Sequence, residues 1–383
     1  EHPEVDVGSL VGSDKRKVLT AAAFTRDKQE YHFFDDRRRD LQVKLEEKLP
    51  GQEVMLSSTN REEDKFIVRT HSDRSRGAFY YYDSNTGELR KLAEVSPWLD
   101  EEKLAPMEPV RIPARDGLEL PAYLTLPPGV EAKNLPAVLL VHGGPWARDA
   151  WGFDGEAQFL ANRGYAVLQV NFRGSTGYGR EFWEKSFKQW GKAMQDDLTD
   201  SVKWLVDRGI ADPQRIAIYG GSYGGYAALA GMAFTPEVYA AGISFVGPSN
   251  IFTLLASVPP YWEPYRQMQY EMIGNPETEK DLLTAASPLF SADKIVSPLL
   301  IAQGANDPRV KKAESDQIVE ALQTRGIDVP YIVKDNEGHG FANEENRLYF
   351  YRAVERFLAK HLGGRVEESN EKIAELDGAE KEG

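Results

Sequence analysis

The sequence predicts a mostly parallel, doubly wound α/β domain, preceded by an antiparallel β-rich segment and followed by an acidic tail. Three observations point there. From about residue 108 to 362, apolar strand-like runs alternate with amphipathic helix-like runs. Before residue 108 the strand-like runs are short and divided by polar turns. From 363 to 383 the chain is dominated by glutamate and has little to bury. The expected division is therefore 1–107, 108–362 and 363–383. A chain of 383 residues suits one large α/β domain with an appendage and is long enough for a sizeable core.

In the first zone, β-like runs fall at 18–24, 31–34, 53–58, 65–70 and 78–83, with one helix-like stretch at 37–49. Turn clusters such as Asp83-Ser84-Asn85-Thr86-Gly87 separate them. Strands this short at this spacing suit antiparallel sheet of the kind found in propeller blades, although the zone is too small to close a propeller. In the second zone, strand-like runs fall at 136–141, 165–171, 215–219, 240–245, 298–303 and 329–334. Helix-like runs fall at 155–163, 192–208, 223–233, 311–325 and 343–361. Strands rich in Val, Ile and Leu and separated by helices imply a sheet covered on both faces. Ligand sites form at the carboxyl ends of such strands. The third zone is expected to be a solvated, flexible tail.

Composition narrows the chemistry. With 60 acidic and 46 basic side chains the net charge is -14, which argues against a nucleic-acid or anionic-membrane partner. No apolar run is long enough for a membrane span. The absence of cysteine excludes disulfides, a thiolate nucleophile and cysteine-ligated metals; no cofactor is expected, and the compartment stays open between cytoplasmic and periplasmic or secreted. The start, Glu1-His2-Pro3-Glu4, is neither an initiator methionine nor a signal peptide, so the sequence is expected to begin inside a longer product.

One motif carries chemistry. The β run at 215–219 is followed by Gly220-Gly221-Ser222-Tyr223-Gly224-Gly225 and then a helix of small residues. This is G-x-S-x-G between a strand and a helix, where a sharp turn lifts the serine hydroxyl clear of the sheet. A phosphate loop would need a Lys followed by Ser or Thr, and this turn has none. A serine nucleophile needs a base, and histidine is the usual one. Of six histidines, His339 lies late in the chain, between flanking glycines, in a loop before the final helix. The order Ser before His is that of α/β-hydrolases. His142 precedes two glycines and suits another role, and His361 ends a helix. The orienting acid should follow a strand between Ser222 and His339. Asp307 fits, with Asp335 as the rival and Asp293 as a turn residue. The segment Val141-His142-Gly143-Gly144-Pro145 leaves the first long apolar strand. It can supply the Gly144 N–H to an oxyanion, with the Tyr223 N–H as second donor.

Taken together, these segments resemble the prolyl oligopeptidase family of serine peptidases, nearest to its acylaminoacyl-peptidase and dipeptidyl-peptidase-like members. The matching stretches are His142-Gly143-Gly144-Pro145, Asn171-Phe172-Arg173-Gly174-Ser175-Thr176-Gly177-Tyr178-Gly179, 220–226, 306–310 and Gly338-His339. The resemblance implies a Ser222–Asp307–His339 triad, and an Arg309 that binds a substrate backbone carbonyl. It also implies that the first zone is the end of a β-propeller. Two positions depart from the pattern. Where some members carry an oxyanion-loop tyrosine, His142 stands here, and the acids that anchor a free N-terminus in dipeptidyl peptidases lie in the propeller, of which this sequence is expected to hold only the end, so the resemblance does not assign dipeptidase specificity. The segment around Arg173 is expected to build scaffold. Aromatics at 259–265, Trp262 in particular, together with Tyr226, are candidates for the substrate pocket.

The expected function is hydrolysis of short peptides or acyl-peptides through an acyl-enzyme. The alternative is a carboxylesterase acting on short-chain acyl esters, and a third reading is a hydrolase fold kept as a binding module. A homo-oligomer is compatible with the sequence.

Overall fold

Short runs of β-branched and aromatic residues fold locally into meanders at the N-terminal end. In the computed structural model, which describes residues 2–327 and 329–367, β1 (Val7–Ser13), β2 (Val18–Thr25) and β3 (Gln29–Phe33) form a three-stranded antiparallel sheet. Helix α1 (Asp36–Lys48) follows, capped by the Asp35 side chain, which accepts from the Arg38 N–H. Then β4 (Glu53–Thr59), β5 (Lys65–His71), β6 (Ala78–Asp83) and β7 (Leu89–Glu94) pair in sequence order as a four-stranded antiparallel meander. That is the shape of a propeller blade. Leu45, Val54, Phe66, Val68 and Tyr82 form its small core. Two strands escape the sequence reading. Glycine and serine dilute β1, and β7 is a charged, exposed edge.

The third sheet has eight strands: β8 (Met107–Pro113), β9 (Glu119–Thr125), β10 (Leu135–Val141), β11 (Ala166–Val170), β12 (Ala211–Gly221), β13 (Ala241–Phe245), β14 (Leu299–Gly304) and β15 (Tyr331–Lys334). Their spatial order is β15-β14-β13-β12-β10-β11-β9-β8. β10 to β15 run parallel, and β9 pairs antiparallel with both β11 and β8. The chain also forms helices α2 (Gly155–Asn162), α3 (Gly179–Glu184), α4 (Ala193–Asp207), α5 (Tyr223–Phe234), α6 (Ile251–Ala256), α7 (Arg266–Met272), α8 (Lys280–Ala286), α9 (Lys312–Gln323) and α10 (Glu344–Leu362). One face of the sheet buries Leu198 of α4, Leu229 of α5 and Ile318 of α9. The other buries Leu160 of α2 and Val354 and Leu358 of α10. This is the α/β-hydrolase fold, doubly wound as the alternating pattern predicts.

All six strands and all five helices expected in the second zone are present. The unpredicted elements are β8 and β9, which carry prolines 109, 113 and 121, the short helix α3, and the helices inserted between β13 and β14. At the far end, residues 363–367 are bound rather than free. The Arg365 N–H donates to the Arg163 carbonyl at 2.9 Å, and the Glu367 N–H donates to Glu355 at 2.8 Å. The remainder of the expected acidic tail, 368–383, lies outside the described residues.

Register places the chemistry. β10 and β12 are neighbours, with Val141 opposite Gly220, so the His142-Gly143-Gly144 loop and the Ser222 turn leave the sheet side by side. β14 and β15 are neighbours too, with Gly304 opposite Lys334, so the Asp307 and His339 loops leave together. At the elbow, α5 passes so close to β10 that a Cβ on Gly224 would lie 2.0 Å from the Val141 carbonyl oxygen. A Cβ on Gly221 would meet nothing nearer than the Phe245 ring at 3.6 Å. Gly224→Ala should therefore cost more than about 3 kcal/mol in urea unfolding, and Gly221→Ala less than about 1 kcal/mol. Equal effects would show that the crossing is looser than described.

Candidate active site

Ser222 sits between the last residue of β12 and the first of α5, with φ 58° and ψ -119°. That left-handed backbone costs about 1–3 kcal/mol for a residue with a side chain. The surroundings hold it there: the Ser222 N–H donates to the Phe245 carbonyl at the end of β13, at 2.8 Å. The hydroxyl stands clear of the strand, 2.9 Å from Nε2 of His339.

Nδ1 of His339 lies 2.7 Å from Oδ2 of Asp307. Asp307 is buried in the loop after β14. Its other oxygen, Oδ1, accepts the backbone N–H groups of Arg309 at 2.8 Å and Val310 at 3.0 Å. Gln303 Nε2 donates to Oδ2 at 3.3 Å. An ionised carboxylate only accepts, so Nδ1 carries its proton and Nε2 presents a lone pair to the serine hydroxyl. The rival acid stands aside. The Asp335 backbone carbonyl, not its side chain, accepts from Asn306, and Asp293 lies in the 3₁₀ turn Pro288–Lys294.

The histidine loop is riveted by a residue the sequence reading passed over. The buried Glu337 carboxylate accepts the backbone N–H groups of Ala342 and Asn343 at 2.8 and 3.0 Å, and the side chains of Asn343 and Asn346 at 2.9 and 2.7 Å. Its backbone carbonyl accepts from Asn306 of the acid loop at 2.9 Å, which ties the two loops together. Burial pushes its carboxyl up, but the hydrogen bonds from Asn346, Ala342 and Asn343 outweigh that and bring it down to about 2. In sequence Glu337 is one loop acid among many, and only its place before α10 hints at a cap.

Gly144 lines the cavity beside Ser222 and has φ 125°. Tyr223 opens α5, so its N–H has no acceptor within the helix. Gly144 and Tyr223 thus both line the cavity onto which Ser222 opens. His142 is not a base. Its Nδ1 lies 2.8 Å from the Gly143 carbonyl and its Nε2 2.9 Å from Ser175 Oγ. Burial keeps its imidazole neutral by lowering its pKa to about 4.

A cavity of about 470 Å³ opens beside Ser222 and His339. Trp146, Trp190, Leu254, Leu255, Ile273 and Val310 make its wall apolar, and Trp262 and Arg309 face it as expected, the guanidinium 5.9 Å from the indole. Among the described residues its lining holds one cation, Arg309, and no carboxylate. Tyr226 is placed otherwise than the sequence suggests. It is fully buried behind Trp190, and its hydroxyl donates to the Ala286 carbonyl at 2.7 Å, so it supports the pocket floor without lining it. Among the described residues no group of three or more acidic, His or Cys side chains is arranged to hold a metal ion. None of their helices is long and apolar enough to cross a membrane.

A strained serine, a histidine and a buried aspartate thus stand in one hydrogen-bonded line at the strand ends of an α/β-hydrolase fold. Residues 151–365 match the sequence profile of the prolyl oligopeptidase family. The chain is 46% identical over 376 residues to dipeptidyl aminopeptidase BIII of Pseudoxanthomonas mexicana, across 96% of this chain and 54% of that protein. It is 27% identical over 208 residues to an acylamino-acid-releasing enzyme of Arabidopsis thaliana, across 53% of this chain and 27% of that one. Among solved structures, a puromycin-hydrolyzing peptidase of Mycobacterium tuberculosis is similar with a TM-score of 0.79 and 28% identity, over 91% of this chain and 53% of that one. The chain belongs to the prolyl oligopeptidase family. It spans about half the length of the dipeptidyl aminopeptidase it matches.

Because the folded pKa of Glu337 lies below its ordinary value of 4.5, the stability it contributes is present above pH 4.5 and is lost as pH falls toward 2. Glu337→Gln should lower Tm by roughly 2–6 °C at pH 7. The gap to wild type should shrink steadily below pH 4.5. A gap independent of pH would show that the carboxylate charge is not what holds the loop.

Proposed function

We propose that this chain is a serine peptidase that cleaves short peptides or acyl-peptides through an acyl-enzyme, with Ser222, His339 and Asp307 as its catalytic residues. The observation that carries this reading is the continuous line Ser222 Oγ–His339–Asp307, at 2.9 and 2.7 Å, opening on an apolar cavity with a single guanidinium. Ser222 Oγ attacks the scissile carbonyl and His339 takes its proton at Nε2. Asp307 holds the tautomer and stabilises the imidazolium. The N–H groups of Gly144 and Tyr223 receive the oxyanion. His339 then returns the proton to the leaving amine, and water repeats the sequence to release the acid. Arg309 binds a backbone carbonyl of the substrate, and the cavity, with Trp262 at its mouth, takes an apolar side chain. The names of the relatives, an aminopeptidase, an acylamino-acid-releasing enzyme and a puromycin-hydrolyzing peptidase, support action on amide bonds of short substrates.

A fluorophosphonate should label wild-type protein at Ser222 and leave Ser222→Ala unlabelled; a folded wild type that resists labelling would overturn the assignment. Asp307→Asn should lower kcat by about 10³–10⁴-fold, and Asp335→Asn by no more than about 2-fold. The reverse order would move the acid to Asp335.

The substrate class is tested by kcat/KM on aminoacyl, dipeptidyl and acyl-aminoacyl anilides, puromycin and short p-nitrophenyl esters. Amides with Phe, Leu or Met before the scissile bond should exceed those with Asp or Lys by about 10–100-fold. Turnover confined to the esters would establish a carboxylesterase instead.

A further inference from the structure

Strand β13 lies between β12, which leads into Ser222, and β14 and β15, which lead into the Asp307 and His339 loops. It supplies none of these three residues, yet the hydrogen-bonded line crosses its end. Its last residue, Phe245, stands opposite Gly221 on one side and Ala302 on the other. The backbone of Phe245 faces the Ser222 turn, whose N–H donates to the Phe245 carbonyl at 2.8 Å. The ring faces the other way as well. It meets Phe341, two residues past His339, edge to face at 5.0 Å and 76°. It also stacks on Phe350 of α10 at 4.6 Å and 25°, and Phe341 meets Phe350 at 5.7 Å and 81°. Three rings thus close a triangle between the end of β13, the His339 loop and α10, and such pairs hold beyond what their buried area gives. Among the described residues, no backbone hydrogen bond joins the His339 loop to the Ser222 turn.

Phe245 is itself clamped on both sides. Before it, the buried Ser244 hydroxyl donates to the Gly225 carbonyl of α5 at 3.0 Å. After it, the Val246 N–H donates to the Ala302 carbonyl at 2.8 Å. Val246 has φ 47°, a left-handed backbone that a β-branched residue rarely adopts. Gly247 then passes α5 so closely that a Cβ there would lie 2.5 Å from the Gly225 carbonyl carbon. Strain of this kind persists only where the surroundings over-determine the backbone, and it clusters at functional sites.

We infer that Phe245 is a positioning residue that sets the distance between Ser222 Oγ and His339 Nε2: its carbonyl holds the Ser222 turn, and its ring, through Phe341, holds the His339 loop. This rests on the serine-peptidase reading above. Neither Phe245 nor Phe341 lines the cavity, so their effect passes through the residues they hold. The Asp307 and His339 loops are tied to each other by the Asn306 N–H, which donates to the Glu337 carbonyl at 2.9 Å. Loosening the ring contact therefore shifts histidine and aspartate together and lengthens the bond to the serine.

The test compares wild type with Phe245→Leu, Phe341→Leu, the double variant and Phe245→Met. Phe357→Leu, a buried ring two turns along α10 from Phe350, is the control for lost packing alone. Each is measured for Tm, for kcat and KM on one anilide, and for the rate at which a fluorophosphonate labels Ser222. A misplacement of about 1 Å can cost about 10²-fold, so each Leu variant should lose about 10–100-fold in kcat with KM within about 2-fold. The labelling rate should fall in step, because it needs the same histidine at the same hydroxyl. The double variant should lose no more than about 3-fold beyond the more damaged single one, since both break one contact. Phe245→Met, whose sulfur can still touch the Phe341 ring, should recover most of the loss. Phe357→Leu should lower Tm as the others do and leave kcat and labelling unchanged. Should Phe245→Leu fail to fold, Phe341→Leu and Phe245→Met carry the same comparison. Leu variants with unchanged kcat, losses that multiply in the double variant, or an equal loss of kcat in Phe357→Leu would overturn the inference, while prompt labelling of wild-type Ser222 left the peptidase reading intact. A wild type that resists the probe would overturn both.

Discussion

The parallel pairing of β10 with β12 is the constraint on which the rest depends. With Val141 opposite Gly220, two chain segments leave the sheet at one level and must share a very small space. A Cβ on Gly220 or Gly224 would lie 2.5 or 2.0 Å from the Val141 oxygen, so no side chain fits at either crossing. That closeness bends the chain through Ser222 into its left-handed backbone and sets the hydroxyl beside the glycine loop from β10. Backbone geometry settled by sheet register therefore places Ser222 and the Gly143-Gly144 loop together, before any side chain is ordered.

The other half of the site is held by buried carboxylates that act as acceptors for backbone N–H groups. Asp307 takes those of Arg309 and Val310, and Glu337 takes those of Ala342 and Asn343. A third, Glu314, accepts from the N–H groups of Ser249 and Asn250 at 3.0 Å each, and so fixes the start of the segment that walls the cavity. In each case a charge removed from water is compensated by several donors converging on it. His339 is in this way located by its loop, and the loop by a carboxylate that never meets the serine.

Much of this was legible in the residues because the relevant physics is local. A strand, a glycine-rich turn and a small-residue helix announce Ser222, and glycines around a late histidine announce His339. Their meeting over a 2.9 Å bond depends on which strands are neighbours, which the order of elements implies only through the fold class. What stayed hidden depends on direction and convergence. Tyr226 follows Tyr223 by one helical turn, and nothing in composition says that its ring turns under Trp190 instead of into the cavity. Glu337 looks like a solvated loop acid until α10 is placed over it. Trp146, Trp190 and Ile273 converge from three separate parts of the chain, and no spacing encodes that. Strands β8 and β9 were masked by their prolines; β8 is the edge of the sheet, where proline is tolerated.

The insertion between β13 and β14 adds no strand to the sheet, yet Leu254, Leu255, Trp262, Met268 and Ile273 of the cavity wall all come from it. Ser222, Asp307 and His339 come from loops at the ends of β12, β14 and β15, outside this stretch. This part of the cavity wall and the hydrogen-bonded line therefore occupy different stretches of gene. Substitutions, lengthening or recombination between codons 251 and 273 can redraw what the cavity admits while the hydrogen-bonded line stays as it is.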